Sequence, residues 1–93
     1  MKKVAAYKRE TTVRLKLRQQ PDLSAPSLMT LPIGCVFWVW EEDTDRSEQK
    51  DSYLWARVGV SVNENPALKI PGNAQNIAGF VALFELKPFT KRF

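Results

Sequence analysis

Strict alternation of apolar and polar side chains over residues 12–18 is the feature that most constrains how this chain can fold. It places Val13, Leu15 and Leu17 on one face of an extended segment and leaves the other face to cations. A stretch punctuated by prolines follows and ends at Gly34, a glycine placed where a turn can need a positive φ. The pattern therefore predicts a half-buried β-strand followed by a long loop.

The rest of the chain indicates an all-β domain with long loops. Residues 1–10 show weak periodicity and are expected to be a basic arm or a short leading strand, while 11–93 form one domain. Further strands are expected at 36–42, 53–62, 77–82 and 87–89, with one short helical turn at 83–86 and long loops at 43–52 and 63–76. With the strand at 12–18, this makes five strands.

Composition argues against an enzyme. The 93 residues contain no histidine, which removes the usual general base and the commonest neutral metal ligand. Cys35 is the only cysteine, so the chain can form no internal disulfide, and its place at a strand start favours packing over nucleophilic chemistry. We therefore predict a protein without catalytic residues, metal or cofactor.

The sequence shows no targeting or membrane-spanning pattern. The basic N-terminus is followed within a few residues by Lys8 and Arg9, so no apolar core of signal-peptide length exists. No apolar run has the length that a membrane-spanning helix needs. The expectation is a protein that is cytoplasmic as synthesised and has no membrane partner.

Four short motifs occur in a definite order along the chain. They are an apolar-x-apolar-Arg strand, a Leu-x-x-Gly turn, a Trp-x-x-Val strand and a Gly-aromatic-Val strand, at 15–18, 31–34, 55–58 and 79–81. In this order they resemble the bacterial Src-homology-3 domain family over residues 12–89. The resemblance implies a small five-stranded, strongly bent Src-homology-3-like barrel without catalytic residues. It also implies a binding or targeting module for a peptide or protein partner, cell-wall peptides among them.

The first candidate site follows from this resemblance. Domains of this kind hold peptides in a groove between the first long loop and the loop before the third strand. The groove is lined by aromatic residues and often flanked by acids, which here implies Tyr53 and Trp55 beside Asp43, Asp45 and Asp51. Such a groove would receive an extended or basic peptide. The alternative is that Trp55 is a packing residue, which leaves Tyr53 as the better groove candidate.

The second candidate site is an interaction face on the strand at 36–42. If Phe37 and Val39 fill the interior, alternation turns Val36, Trp38 and Trp40 outward. A large exposed apolar patch is typical of an interface, so the chain is also expected to be able to pack against another copy or another domain. The alternative is that residues 1–10 or the loop at 63–76 cover these side chains.

The third candidate site is the basic face formed by Arg14, Lys16 and Arg18. Residues 1–18 carry seven cations and one acid, while residues 41–51 carry six acids and two cations. A basic face beside stacking aromatic rings could bind single-stranded nucleic acid. The alternative is that these cations keep the chain soluble and discourage pairing between sheet edges.

Overall fold

Seven strands form one antiparallel sheet in a computed structural model that describes residues 1–43, 53–84 and 87–93. Their order across the sheet is β3-β2-β6-β5-β4-β1-β7. The strands are β1 Lys2–Thr11, β2 Leu15–Arg18, β3 Ser27–Leu31, β4 Val36–Glu42, β5 Leu54–Ser61, β6 Asn76–Phe84 and β7 Thr90–Arg92, and a single 3-10 turn spans Pro71–Asn73. The prediction of an all-β fold is confirmed, whereas the count of five strands is wrong for the part of the chain that the structure describes.

The first additional strand is β1. It contains residues for which the sequence allowed either a basic arm or a short leading strand. It is the longest strand of the sheet and pairs with β4 on one side and β7 on the other. The register shifts between Lys3 and Tyr7, so the strand is irregular there. This irregularity accounts for the weak periodicity of the segment, because a shift in register moves side chains to the opposite face.

The second additional strand is β3, which lies inside the stretch predicted to be a loop. It forms a hairpin with β2 in which Leu15 pairs with Leu31 and Leu17 with Met29. The predicted strand at 12–18 is correspondingly shorter than expected. Val13 precedes it and is 37% exposed, so it does not share the buried face of Leu15 and Leu17.

The core is one cluster of buried side chains contributed by the turn before β4 and by five strands that are neighbours in the sheet. Strands β2 and β3 thus share one core with β4, β5 and β6. Each large apolar side chain buried there contributes roughly 1.5–3 kcal/mol relative to exposure. The buried members are Leu15, Leu17, Leu31, Cys35, Phe37, Val39, Ala56, Val58, Val60, Val81 and Leu83. Their alternation along β4 and β5 confirms the predicted inward positions of Phe37 and Val39.

A tight turn joins β3 to β4 and is held by the end of β1. Gly34 has a φ of 83°, so the expected positive φ is present. The buried hydroxyl of Thr11 donates to the carbonyl oxygen of Pro32 at 2.6 Å and accepts from the backbone N–H of Cys35 at 2.9 Å. This side chain thus reinforces the turn, in which the N–H of Cys35 makes only a long hydrogen bond of 3.4 Å to the carbonyl oxygen of Pro32.

The loop after β5 folds back over the start of β4. The side chain of Asn65 accepts a hydrogen bond from the N–H of Val36 at 2.7 Å and donates to its carbonyl oxygen at 2.8 Å. The same amide donates to the carbonyl oxygen of Ser61 at 2.9 Å. Asn65 therefore takes the place of a neighbouring strand where β5 has ended.

The C-terminal region departs from the sequence prediction in two ways. Strand β6 continues to Phe84, so residues 83 and 84 are extended where a helical turn was expected, and residues 85 and 86 lie outside the described ranges. The last strand spans Thr90–Arg92 and not 87–89. The backbone of Phe89 instead accepts from the N–H of Thr12 at 2.9 Å and donates to Leu83 at 3.0 Å.

Candidate functional site

A groove of about 200 Å³ lies where the start of β2 faces the residues just before β5 and just before β7. It combines an apolar floor, an aromatic wall and a row of cations. Its lining consists of Val13, Arg14, Leu15, Lys16, Arg18, Leu23, Tyr53, Trp55, Ala82 and Phe89. Residues from two of the three predicted sites thus line the same groove, because Tyr53 and Trp55 share it with the basic face.

The aromatic side of the groove is a cluster of three rings. The ring centroid of Tyr53 lies 6.1 Å from that of Trp55 and 6.0 Å from that of Phe89, with tilted planes in both pairs. Trp55 is only 3% exposed and forms the floor, whereas Tyr53 and Phe89 are half-buried and form the wall. Both alternatives given for Trp55 therefore hold, since it packs in the body and also lines the groove.

The cationic side of the groove comes from β2 and the residue before it. Arg14 and Lys16 are exposed, and neither takes part in the three ion pairs found among the described residues. Arg18 is half-buried, and its guanidinium donates to the carbonyl oxygen of Ala25 at 2.9 Å. The hydrogen bond fixes Arg18 at one end of the row, while the other two cations face solvent.

Close packing between β6 and β2 sets the position of this row. A Cβ atom added at Gly79 would lie 2.9 Å from the carbonyl oxygen of Arg18 and 2.9 Å from Cγ of Leu17. Glycine is therefore needed for β2 to approach β6 at the point where Arg18 pairs with Phe80. The Gly-aromatic-Val motif thus serves a packing role directly beneath the groove.

The predicted acidic flank is not part of the groove among the described residues. Asp43 donates its backbone N–H to the carbonyl oxygen of Trp55 at 2.9 Å and does not line the groove. Asp45 and Asp51 lie outside the described residues. Asp43 thus lies beside Trp55 without being part of the groove lining, and the described lining is basic.

Five lining residues were not among the predicted site residues, and they are Val13, Leu15, Leu23, Ala82 and Phe89. Leu23 is an apolar residue in a polar loop and is 46% exposed, which is a signal that could have been read. Val13 was assigned to the buried face of the first strand, and Phe89 to a strand. Phe89 reaches the groove only because its backbone is bonded between Thr12 and Leu83, a long-range arrangement with no local signal.

The predicted interaction face on β4 is only partly exposed. Val36 is only 7% exposed beneath the loop that contains Asn65, so the alternative that the loop at 63–76 covers this face holds for Val36. Trp38 is 37% exposed and has the Nζ of Lys8 at 5.1 Å from its ring centroid. Trp40 is half-buried.

Trp40 packs against the neighbouring strand β5. A Cβ atom added at Gly59 would lie 2.2 Å from the Trp40 ring, so the ring rests directly on the glycine. The guanidinium carbon of Arg57 lies 5.0 Å from the ring centroid. The two tryptophans therefore form a surface that the chain itself covers in part.

Neither the metal-ligating side chains nor the single cysteine form a reactive centre in the described parts of the chain. Within residues 1–43, 53–84 and 87–93, no group of three potential metal-ligating side chains comes together. Burial raises the pKa of the Cys35 thiol to about 11, so the thiol stays protonated near neutral pH and is a poor nucleophile. No helix within these ranges is long and apolar enough to cross a membrane.

Comparisons with known proteins do not assign this chain to a family. The chain matches no model of a protein family, and neither a curated protein nor a solved structure matches it.

Proposed function

We propose that this chain is a non-catalytic binding module, similar to bacterial Src-homology-3 domains, that holds an extended peptide segment of a partner in the groove. The observation that carries the proposal is that Tyr53 and Phe89 face the start of β2 across one concave surface. This is the place where the family resemblance puts a peptide groove. The motif segments also occupy strands β2, β5 and β6, which together build that surface.

The size and lining of the groove favour a peptide over a small molecule. Sites that enclose a small ligand usually have volumes of roughly 300–1,000 Å³, whereas this groove is about 200 Å³ and open along its length. That volume suits one or two side chains of a peptide that lies across the surface. Half-buried Tyr53 and Phe89 supply rigid apolar contact area of the kind that anchors peptide side chains.

The proposal is tested by probing an array of short synthetic peptides, cell-wall stem peptides included, with the intact chain. The matched variants are Tyr53→Ala in the groove and Trp38→Ala on β4. We expect the wild-type chain and Trp38→Ala to retain the same peptides, and Tyr53→Ala to lose most of them while its circular dichroism spectrum stays unchanged. Peptide binding that survives Trp38→Ala but not Tyr53→Ala would assign the site to the groove and not to the tryptophans on β4.

Three outcomes would contradict the proposal. Retention of peptides by Tyr53→Ala together with their loss in Trp38→Ala would place binding on β4. A wild-type chain that retains no peptide, but dimerises through a surface abolished by Trp38→Ala, would make the chain a structural subunit. Retention of single-stranded oligonucleotides in place of peptides would make it a basic nucleic-acid binder.

A further inference from the structure

The groove has a strongly one-sided charge. Arg14, Lys16 and Arg18 lie along one side of it, and no carboxylate is among the described residues that line it. Arg14 and Lys16 are exposed and make no ion pair with the residues that the structure describes. A row of cations beside an apolar wall attracts an anionic ligand, and ion pairs formed next to that wall are less screened than pairs in open water.

The spacing of the cations points to a particular pattern in the ligand. Alternate residues of an extended strand lie roughly 6.6–6.8 Å apart on the same face. A peptide that lies extended beside β2 has the same repeat, so its alternate side chains meet successive cations. The side chains between them then point toward Tyr53 and Phe89 or toward solvent.

We infer that the groove selects acidic peptides in which carboxylates alternate with other residues, at least one of them apolar. This inference rests on the proposed function and names the class of peptide. The two exposed cations, Arg14 and Lys16, bind the alternating carboxylates. Arg18, whose guanidinium is already oriented by its hydrogen bond to Ala25, receives a third carboxylate at the end of the row.

The arrangement favours an acidic peptide over a nucleic acid. Proteins that bind single strands combine a long basic track with aromatic rings on which successive bases stack, and their sites span several nucleotides. Among the described residues that line the groove, the cations are confined to five consecutive positions, 14–18. The rings of Tyr53, Trp55 and Phe89 pack at tilted angles against each other, and Trp55 is buried, so they form no row of open faces.

The test uses the intact chain and four labelled heptapeptides in fluorescence anisotropy titrations. The probe is Ser-Glu-Leu-Glu-Leu-Glu-Ser. Its controls replace every glutamate by glutamine, replace every glutamate by lysine, or keep the composition but place the three glutamates side by side. We expect the probe to bind about tenfold more tightly than the glutamine peptide, which is the combined effect of three largely exposed ion pairs. The peptide with adjacent glutamates should bind more weakly than the probe, and the lysine peptide should not bind.

Matched variants of the protein locate the selectivity. Arg14→Gln combined with Lys16→Gln should reduce the preference for the probe over the glutamine peptide by about fivefold. Lys2→Gln combined with Lys3→Gln removes the same charge from exposed positions on β1 and should leave the preference intact. An unfolding curve for each variant confirms that the fold is retained.

The outcomes separate this inference from the proposed function. If all four peptides bind equally and Tyr53→Ala abolishes binding, the groove is a peptide site but the charge selectivity is wrong. If none binds, or if Tyr53→Ala changes no affinity, both proposals fail. If oligothymidine binds more tightly than the probe and the Arg14 and Lys16 double variant abolishes that binding, the ligand is a nucleic acid and the inference is overturned.

Discussion

The groove and the tryptophan surface on β4 both combine aromatic rings with cations, but the cations are used differently in the two places. On β4, Lys8 lies over the ring of Trp38 and also 2.9 Å from a carboxylate oxygen of Glu64. Arg57 lies over Trp40 and forms an ion pair at 3.4 Å with Glu41. Arg57 is thus engaged twice by the chain's own residues, and Lys8 three times, because its Nζ also lies 5.8 Å from the ring centroid of Phe93.

In the groove the corresponding cations are not engaged in this way. Arg14 and Lys16 form no ion pair with described residues, and the neighbouring rings pack on each other, not beneath the cations. A cation that already has a ring and a carboxylate contributes to stability, whereas a cation without them is available to a ligand. The comparison teaches that aromatic residues next to cations indicate a binding surface only when the chain leaves the cations unpaired.

A rise in pH is expected to give the largest loss of stability, because it ionises a thiol that belongs to the hydrophobic core. Burial raises the pKa of the Cys35 thiol from 9.0 to about 11, so its contribution is fully present below pH 9 and is lost as the pH rises through 11. A shift of this size corresponds to roughly 3 kcal/mol of unfolding free energy. Burial and the neighbouring Glu42 also raise the pKa of Tyr7, which adds a loss in the same direction above pH 10.

Urea unfolding between pH 8 and pH 11 measures this loss, with Cys35→Ala as the matched variant. The variant is expected to be less stable at pH 8 because it leaves a small cavity, but its stability should fall less steeply above pH 9. An identical slope in both proteins would show that the thiol is not the source of the loss. A loss of peptide binding before unfolding begins would instead mean that the groove is coupled to the body, which would weaken the comparison.

Substitution of Gly59 by alanine is expected to lower the unfolding free energy by about 2 kcal/mol. The added methyl group would overlap the ring of Trp40, which is held between β5 and the guanidinium of Arg57. Thermal unfolding measures the effect. In a Trp40→Leu background the same substitution should cost clearly less, and equal losses in both backgrounds would show that the contact with the ring is not the cause. Peptide binding through the groove should be unchanged by Gly59→Ala at temperatures where it is folded.

Lys8→Gln and Lys16→Gln form a matched pair that gives the smallest and most direct contrast. Loss of Lys8 should lower stability by about 1 kcal/mol, because it removes a cation–π contact and an ion pair that are both partly exposed. Loss of Lys16 should change stability by less than about 0.5 kcal/mol, since it contacts no described carboxylate. Equal losses would mean that the two surfaces do not differ as described, and a loss of peptide affinity in Lys8→Gln alone would reverse their roles.

Much of the fold could be predicted from alternation alone. The buried positions Leu15 and Leu17 on β2 and Phe37 and Val39 on β4 follow the period of two that a half-buried strand requires. Strand β3 was missed because its five residues, Ser27–Leu31, lie between two prolines and do not alternate cleanly. Its place in the sheet depends on pairing with β2, which a local pattern does not encode.

The candidate site was predictable in its parts but not in its assembly. Alternation placed Arg14, Lys16 and Arg18 on one side, and the family resemblance directed attention to Tyr53. That these residues face each other depends on contacts between positions nearly forty residues apart. Of the predicted acids, Asp43 does not line the groove, and Asp45 and Asp51 lie outside the described residues.

The position of Val36 shows a different limit. Alternation described its strand correctly but left open whether the loop at 63–76 covers this residue, which the side chain of Asn65 does. A side-chain amide that makes the hydrogen bonds of a neighbouring strand produces no periodic pattern in the sequence. Such substitutions of side chain for backbone can be seen only once the chain is folded.

The side-chain amide of Asn65 also affects the resistance of this protein to spontaneous chemical degradation. Spontaneous hydrolysis to aspartate would replace the donor that bonds the carbonyl oxygens of Val36 and Ser61 by an acceptor that repels them. That reaction ordinarily begins when the backbone nitrogen of the next residue attacks the side-chain amide. The next residue is Pro66, whose nitrogen carries no hydrogen, so the usual cyclic imide cannot form there. The side chain that closes the loop over β4 is thereby shielded from the chemical change that would open it.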